Sequence, residues 1–225
     1  MKIEWLGRIS YESGLRIQEE RLRACIDRGI ESVLLLEHEP VYTIGRLPDK
    51  SSLHAVDELP YPVFETNRGG KATYHGPGQL VGYPILDLRS RGRDLHCYLR
   101  ALEGLLIDLL NEFGVTGTRI EGKTGVWVQD RKIASIGVGV RKWVTMHGFA
   151  LNVATDLSGF ASIVPCGLSG VTMTSISAES GRETSINMVL EKITPYLCHH
   201  LGEHEEEDLP QSHRDAEEER TQRVD

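Results

Sequence analysis

Four side chains in this sequence stand where reactive groups are useful. Cys166 lies between Pro165 and Gly167, which fix a bent, accessible backbone around a thiol. A structural cysteine usually sits inside a regular element, as Cys25 and Cys97 do on helical patterns; Cys198, beside His199 and His200, fits that description less well. The thiolate is the nucleophile, and a free thiol is only slightly ionised near neutral pH, so a cation or base must stand nearby. Lys132 opens the apolar run Lys132-Ile133-Ala134-Ser135-Ile136-Gly137. A partly desolvated lysine there favours its neutral form and can act as a base; a solvated lysine at a hairpin turn is the plain alternative. His75 is embedded in Arg68-Gly69-Gly70-Lys71-Ala72-Thr73-Tyr74-His75-Gly76-Pro77-Gly78-Gln79. Paired glycines let a backbone approach a ligand closely, although a sharp turn with a surface histidine has the same composition. The stretch lacks the Gly-Lys-Ser/Thr ending of a phosphate loop. His147 stands in Trp143-Val144-Thr145-Met146-His147-Gly148-Phe149-Ala150-Leu151-Asn152, where a hydrogen-bonded core histidine and a catalytic one are equally compatible. The His199-His200 pair is only a weak metal candidate, having no carboxylate or cysteine partner at a characteristic spacing.

The elements that must position these groups can be read from periodicity. Ile3–Leu6, 32–37 and 41–44 have strand patterns, and 79–88 a further one in which Pro84 predicts an edge position or a bulge. Tyr11 to Arg28 is a helix ended by Gly29. Asp94 to Phe113 is another, with Asp94 as cap and an apolar stripe through Leu95, Leu99, Leu102, Leu106 and Leu109. Strands at 125–129 and 132–140 flank a tight turn at Asp130-Arg131, a third strand lies near 149–153, and Thr184 to Leu201 closes the body as a helix. Strands in hairpin succession with helices between them predict an α+β fold with a mixed, largely antiparallel sheet.

The 225 residues carry a net charge of −8, but residues 203–225 hold ten Asp/Glu against three Lys/Arg, leaving 23 acids and 22 bases in residues 1–202. The expected division is a catalytic domain at 1–202 and an acidic, disordered tail at 203–225, dispensable for chemistry. A near-neutral body without a recognition motif gives no reason to expect nucleic-acid binding. No apolar run is long enough to span a membrane, and Met1-Lys2-Ile3-Glu4-Trp5 has no secretory h-region. A cytoplasmic location with reduced thiols is expected.

Taken together, four motifs occur in one order: Arg-Gly-Gly-x-x-Thr-Tyr-His-x-Pro-Gly-Gln, Lys-Ile-Ala-x-Ile-Gly, Trp-Val-Thr-x-His-Gly-x-Ala-Leu-Asn and Pro-Cys-Gly. In this the sequence resembles the lipoyl(octanoyl) transferases, from about Val33 to Ile176. The resemblance implies a biotinyl/lipoyl protein ligase-like fold. It implies that Cys166 accepts the acyl group and that Lys132 lowers the thiol pKa and shuttles protons. Arg68 to His75, Ser135 to Gly137 and Gly148 to Ala150 would line the acyl pocket. His147 is a possible support for proton transfer, and His75, with backbone N–H groups near Cys166, a candidate to stabilise the oxyanion. The donor would be octanoyl-acyl carrier protein. The acceptors would be lipoyl domains of 2-oxoacid dehydrogenase complexes and the glycine cleavage H protein. No cofactor or metal is expected, since a thioester already carries the activation. Arg89, Arg91 and Arg93 form a basic cluster suited to steer an acidic carrier. An ATP-dependent lipoate or biotin ligase is the alternative; such ligases share the Arg-Gly-Gly-like motif and the lysine, but need no cysteine nucleophile.

Overall fold

A computed structural model describes residues 1–46, 59–163 and 171–202. The chain opens with strand β1 (Lys2–Ile9), helix α1 (Tyr11–Arg28) and strand β2 (Ser32–His38), with β1 and β2 parallel. Ser10 caps α1 by accepting from Ser13 N–H, and Gly29 stops it at φ +67°, donating back to Ala24 and Cys25. Two short strands follow, β3 (Val41–Ile44) and β4 (Val63–Glu65), then β5 (Ala72–His75). These three form a small sheet of their own in the order β4-β3-β5.

Strand β6 (Gln79–Ile85) enters the large sheet beside β2, and helix α2 (Leu95–Asn111) is capped by Asp94, which accepts from His96 and Cys97 N–H. The meander β7 (Thr118–Ile120), β8 (Lys123–Val128), β9 (Arg131–Arg141) and β10 (Val144–Asn152) completes the sheet, ordered β1-β2-β6-β10-β9-β8-β7. A two-residue strand, β11 (Thr172–Met173), lies parallel to β9, and helices α3 (Ile176–Ser180) and α4 (Ile186–Leu201) follow. Except for the β1–β2 and β9–β11 pairs the large sheet is antiparallel.

β2 is apolar because both its faces are covered. Val33 and Leu35 pack with Leu102, Leu106, Val189 and Ile193 from α2 and α4, whereas Leu34 and Leu36 pack with Leu22 and Cys25 of α1. Alternation along one strand thus feeds two cores. A third cluster joins Tyr42, Tyr74, Phe160, Ile163 and Met173 under the small sheet. Among the described residues no helix is long and apolar enough to cross a membrane.

The expected edge position for Pro84 is not what the structure shows. β6 is central, and Pro84 pairs with Val33 of β2 on one side. On the other side the β6–β10 ladder runs from Asn152↔Gln79 to Phe149↔Gly82 and then opens, to return at the isolated Asp87↔Val144 bridge. Proline has no N–H to give to the ladder. Thr145 bridges the gap, its hydroxyl donating to Pro84 O at 2.8 Å and accepting from Leu86 N–H at 2.9 Å. His147 in the gap takes φ +57°, and its N–H leaves the sheet to donate to Gln18 Oε1. The proline therefore opens a central sheet locally, without an extra residue.

Candidate active site

The glycine-rich motif links the two sheets: a loop at Arg68–Lys71, then β5, then a turn at Gly76–Gly78 into β6. Buried Arg68 donates to Thr43 O and Oγ1 at 2.8 Å each and to Gly69 O at 3.0 Å, while Gly69 N–H donates to Val138 O at 2.8 Å. The loop is thereby fastened to β3 and β9. On the large sheet, Ser135, Ile136 and Gly137 of β9 stand opposite Ala150, Phe149 and Gly148 of β10. Antiparallel register thus turns two separate sequence triplets into one patch.

Between loop and patch lies a cleft with about 40 Å³ of free volume, room for a few waters. Arg68, Gly70, Lys71, Ala72, Thr73, His75, Ser135, Ile136, Gly137, His147, Gly148, Phe149 and Ala150 line it, with Tyr11, Val81 and Tyr83. Two expected liners fall outside it. Tyr74 points into the third cluster, edge-on to Phe160, because alternate residues of β5 face opposite ways. Gly69 is spent on the bridge to Val138. Neither Lys132 nor the His199-His200 pair lines the cleft; His200 is bonded to Asp108 at 2.7 Å.

Two buried histidines, His75 and His147, line the cleft, and a third, His38, packs behind it against His75; all three are neutral. Burial pushes His75 down to about 3, helped by the field of His38; it pushes His147 to about 3, helped by Arg68, and His38 to about 4. The neighbouring phenols stay neutral too: burial raises Tyr11 to about 12 and Tyr83 well above the usual phenol range. An amide chain sets the tautomer of His75. Asn152 Nδ2 donates to Thr174 O at 2.9 Å, Gln79 Nε2 donates to Asn152 Oδ1 at 2.9 Å, and Gln79 Oε1 therefore faces His75 Nδ1 at 2.7 Å. His75 donates through Nδ1, which leaves a lone pair on Nε2. It is a proton acceptor, so the expected role of oxyanion donor does not suit it. His38 is set in the same sense, Nδ1 against Ile9 O and Nε2 against Tyr83 OH.

A consequence in solution follows from the signs. These histidines sit below their ordinary 6.5 in the fold. As pH falls below that value the unfolded chain takes up protons that the folded protein refuses. Stability is therefore greatest above about pH 6.5 and is lost progressively toward pH 3 to 4, by up to about 1.4 kcal/mol per pH unit for each histidine. Urea midpoints between pH 7.5 and 5 should fall steeply, and less steeply in His147→Gln. A flat profile would show that the imidazoles protonate without unfolding.

Lys132 is 2% exposed, more deeply placed than a turn lysine would be. Its Nζ donates to Thr124 O at 2.9 Å and lies 5.3 Å from the Trp127 ring centre. Its strand is flanked by β11, with Met173 beside Lys132 and Thr174 N–H donating to Lys132 O at 3.0 Å. Cys166 lies outside the described residues. Ile163, Val171 and Met173, on either side of its segment, all belong to or pack against the third cluster. Of the other cysteines, burial pushes the Cys25 thiol up to about 11, and the hydrogen bond to Asp94 raises Cys97. The basic cluster expected to steer a carrier is largely consumed locally: Arg91 grips Glu31 at 2.5 and 2.8 Å, and Arg89 grips Asp87 at 2.6 Å.

Sequence reasoning missed His38, Tyr83, Tyr11 and Asn67, which accepts from His147 Nε2 at 2.6 Å. His38 did carry a signal, as a polar residue closing the buried run Ser32–His38.

The architecture is that of the biotinyl and lipoyl protein ligases. The bi-partite lipoate protein ligase of Thermoplasma acidophilum matches it with a TM-score of 0.66 over 99% of this chain and 92% of that one, at 15% identity. The biotin protein ligase of Aquifex aeolicus, in complex with biotin and ATP, matches with a TM-score of 0.56 over 89% of this chain and 70% of that one, at 15% identity. At such identities the likeness is one of fold. The chain belongs to the lipoyl protein ligase A/B catalytic domain family, which matches residues 10–198. It is 52% identical over 202 residues to an octanoyltransferase of Geobacter metallireducens, covering 88% of this chain and 93% of that protein.

Proposed function

We propose that this protein is an octanoyltransferase of lipoate biosynthesis: it takes an octanoyl group from the thioester of acyl carrier protein and passes it to a lysine of a lipoyl domain. The acceptors are lipoyl domains of 2-oxoacid dehydrogenase complexes and the glycine cleavage H protein, and the setting is cytoplasmic. The observation that carries this reading is the placement of Lys132, a buried amine on the strand flanked by β11, which begins six residues after Cys166. Lys132 takes the Cys166 proton, and its ammonium stabilises the thiolate. The thiolate attacks the carrier thioester; the bond to the carrier sulfur breaks, and that sulfur leaves with the proton from Lys132. The octanoyl group is then held on Cys166 while its chain enters the cleft against Val81, Ile136 and Phe149, which must part to widen the space of about 40 Å³. The neutral amine of the acceptor lysine attacks this second thioester. Lys132 removes its surplus proton, and Cys166 leaves as thiolate.

The test is intact-protein mass after mixing with octanoyl-acyl carrier protein, with and without ATP and without acceptor. One octanoyl group gained without ATP, and released when a lipoyl domain is added, supports the reading. A protein that gains the group only from free octanoate and ATP is a ligase instead.

A further inference from the structure

We propose that Glu103 is a positioning residue for Lys132, acting through one peptide group that both side chains hold. The inference rests on the reading of Lys132 given above. Glu103 is on α2 and is 2% exposed, an unusual place for a carboxylate. One oxygen, Oε2, accepts from Arg100 at 2.6 Å and Arg119 at 3.1 Å. The other, Oε1, reaches the sheet and accepts from Gly125 N–H at 3.1 Å. That N–H belongs to the peptide joining Thr124 to Gly125, and the carbonyl of the same peptide, Thr124 O, receives Lys132 Nζ at 2.9 Å. A carboxylate on the N–H end of an amide makes its carbonyl a better acceptor. The negative charge of Glu103 thus reaches the lysine through the shared peptide.

The backbone is shaped for this contact. Gly125 has φ +125°, and a Cβ there would come within 2.6 Å of both Lys132 Cε and Ala134 O. The β8–β9 ladder also shifts register between Val126 and Trp127, next to this contact. Other charged and titratable groups around the relay are His96 and Arg100 on α2, Arg119 on β7 and Lys123 on β8. Next along β9 is Arg131, paired with Glu179 of α3 at 2.8 Å. Glu103 is the carboxylate that reaches the peptide held by Lys132.

Two roles must be separated: tying α2 to the sheet, and orienting the amine and supporting the charge it gains when it takes the Cys166 proton. The experiment is single-turnover acylation of the full chain by octanoyl-acyl carrier protein, as a function of pH, for the parent, Glu103→Gln, Lys132→Ala and the double variant, with thermal unfolding of each. Glutamine can still accept from Gly125 but carries no charge. The ammonium is then less well supported, and the alkaline limb of the profile should move down by roughly half a pH unit, with acylation on that limb about threefold slower. In the Lys132→Ala background the same change should alter the rate less than about twofold, because its route of action is gone. Glu103→Asp, which keeps the charge but draws it back from Gly125, is the second variant should the amide not fold; it should shift the limb in the same direction. An unmoved limb beside a slow Lys132→Ala enzyme overturns the role of Glu103 alone. So does an effect of equal size in both backgrounds. Normal acylation by Lys132→Ala overturns the reading of Lys132 and this inference with it.

Discussion

A Cys166→Ser chain is expected to take up no octanoyl group from the carrier and to lose nearly all transfer to lipoyl domains. The hydroxyl is far too weakly acidic to ionise with a single lysine as base, so no nucleophile of thiolate strength remains. Two of the other thiols are poorly suited to stand in for it. Cys25 is buried with its thiol pushed up to about 11, and Cys97 is held up by Asp94. Intact mass of the parent should show one hydroxylamine-labile octanoyl group, and peptide mapping should place it on Cys166. An adduct on another cysteine, or transfer surviving in the serine chain, would mean the nucleophile lies elsewhere.

The second large effect is expected at Lys132. Lys132→Ala should slow acylation by about two to four orders of magnitude, the range for loss of a general base together with its charge. The structure adds a stability cost that the sequence did not suggest. The side chain is buried against Trp127 and hydrogen-bonded to Thr124 O, so truncation leaves a void and a buried carbonyl without its donor. About 1 to 3 kcal/mol of folding stability should be lost. Lys132→Met keeps most of the packing, and so separates the two effects. If Lys132→Met, folded as well as the parent, acylates within about tenfold of the parent rate, Lys132 is not the base.

Much of this frame was legible because local rules and tertiary needs agreed. Tyr11–Arg28 was readable to the residue since Gly29 must stop the helix, and the β8–β9 hairpin was readable from two apolar runs about a polar pair, although the turn falls at Gln129–Asp130, one residue earlier than expected. The cleft was legible as segments: the motif triplets in β9 and β10 meet because antiparallel register places them face to face. What failed depends on partners remote in sequence. Pro84 suggested an edge, yet Thr145 and Gln18 take over the hydrogen bonds that a central strand would lack. Tyr74 belongs to the lining motif by sequence, but strand alternation turns it away. His38 and Tyr83 are 45 residues apart and meet only through the sheet. Glu103 sits four residues after Leu99 and three before Leu106, on the apolar stripe of α2. A charge on such a stripe is a legible anomaly, but its partners Arg119 and Gly125 are not.

The strand order also dictates when the sheet can close. β2 has β1 as one neighbour and β6 as the other, so Val33 waits for Pro84, 51 residues later, to cover its second edge. β6 in turn waits for β10, with Gln79 opposite Asn152 at a separation of 73 residues. The β7 to β10 meander, by contrast, pairs neighbours through short turns. Closing long loops costs entropy before the contacts repay it. While the chain is being made, β1 and β2 therefore present an open, strongly apolar edge through Leu34 and Leu36. The central seam can close only after residue 152 has left the ribosome.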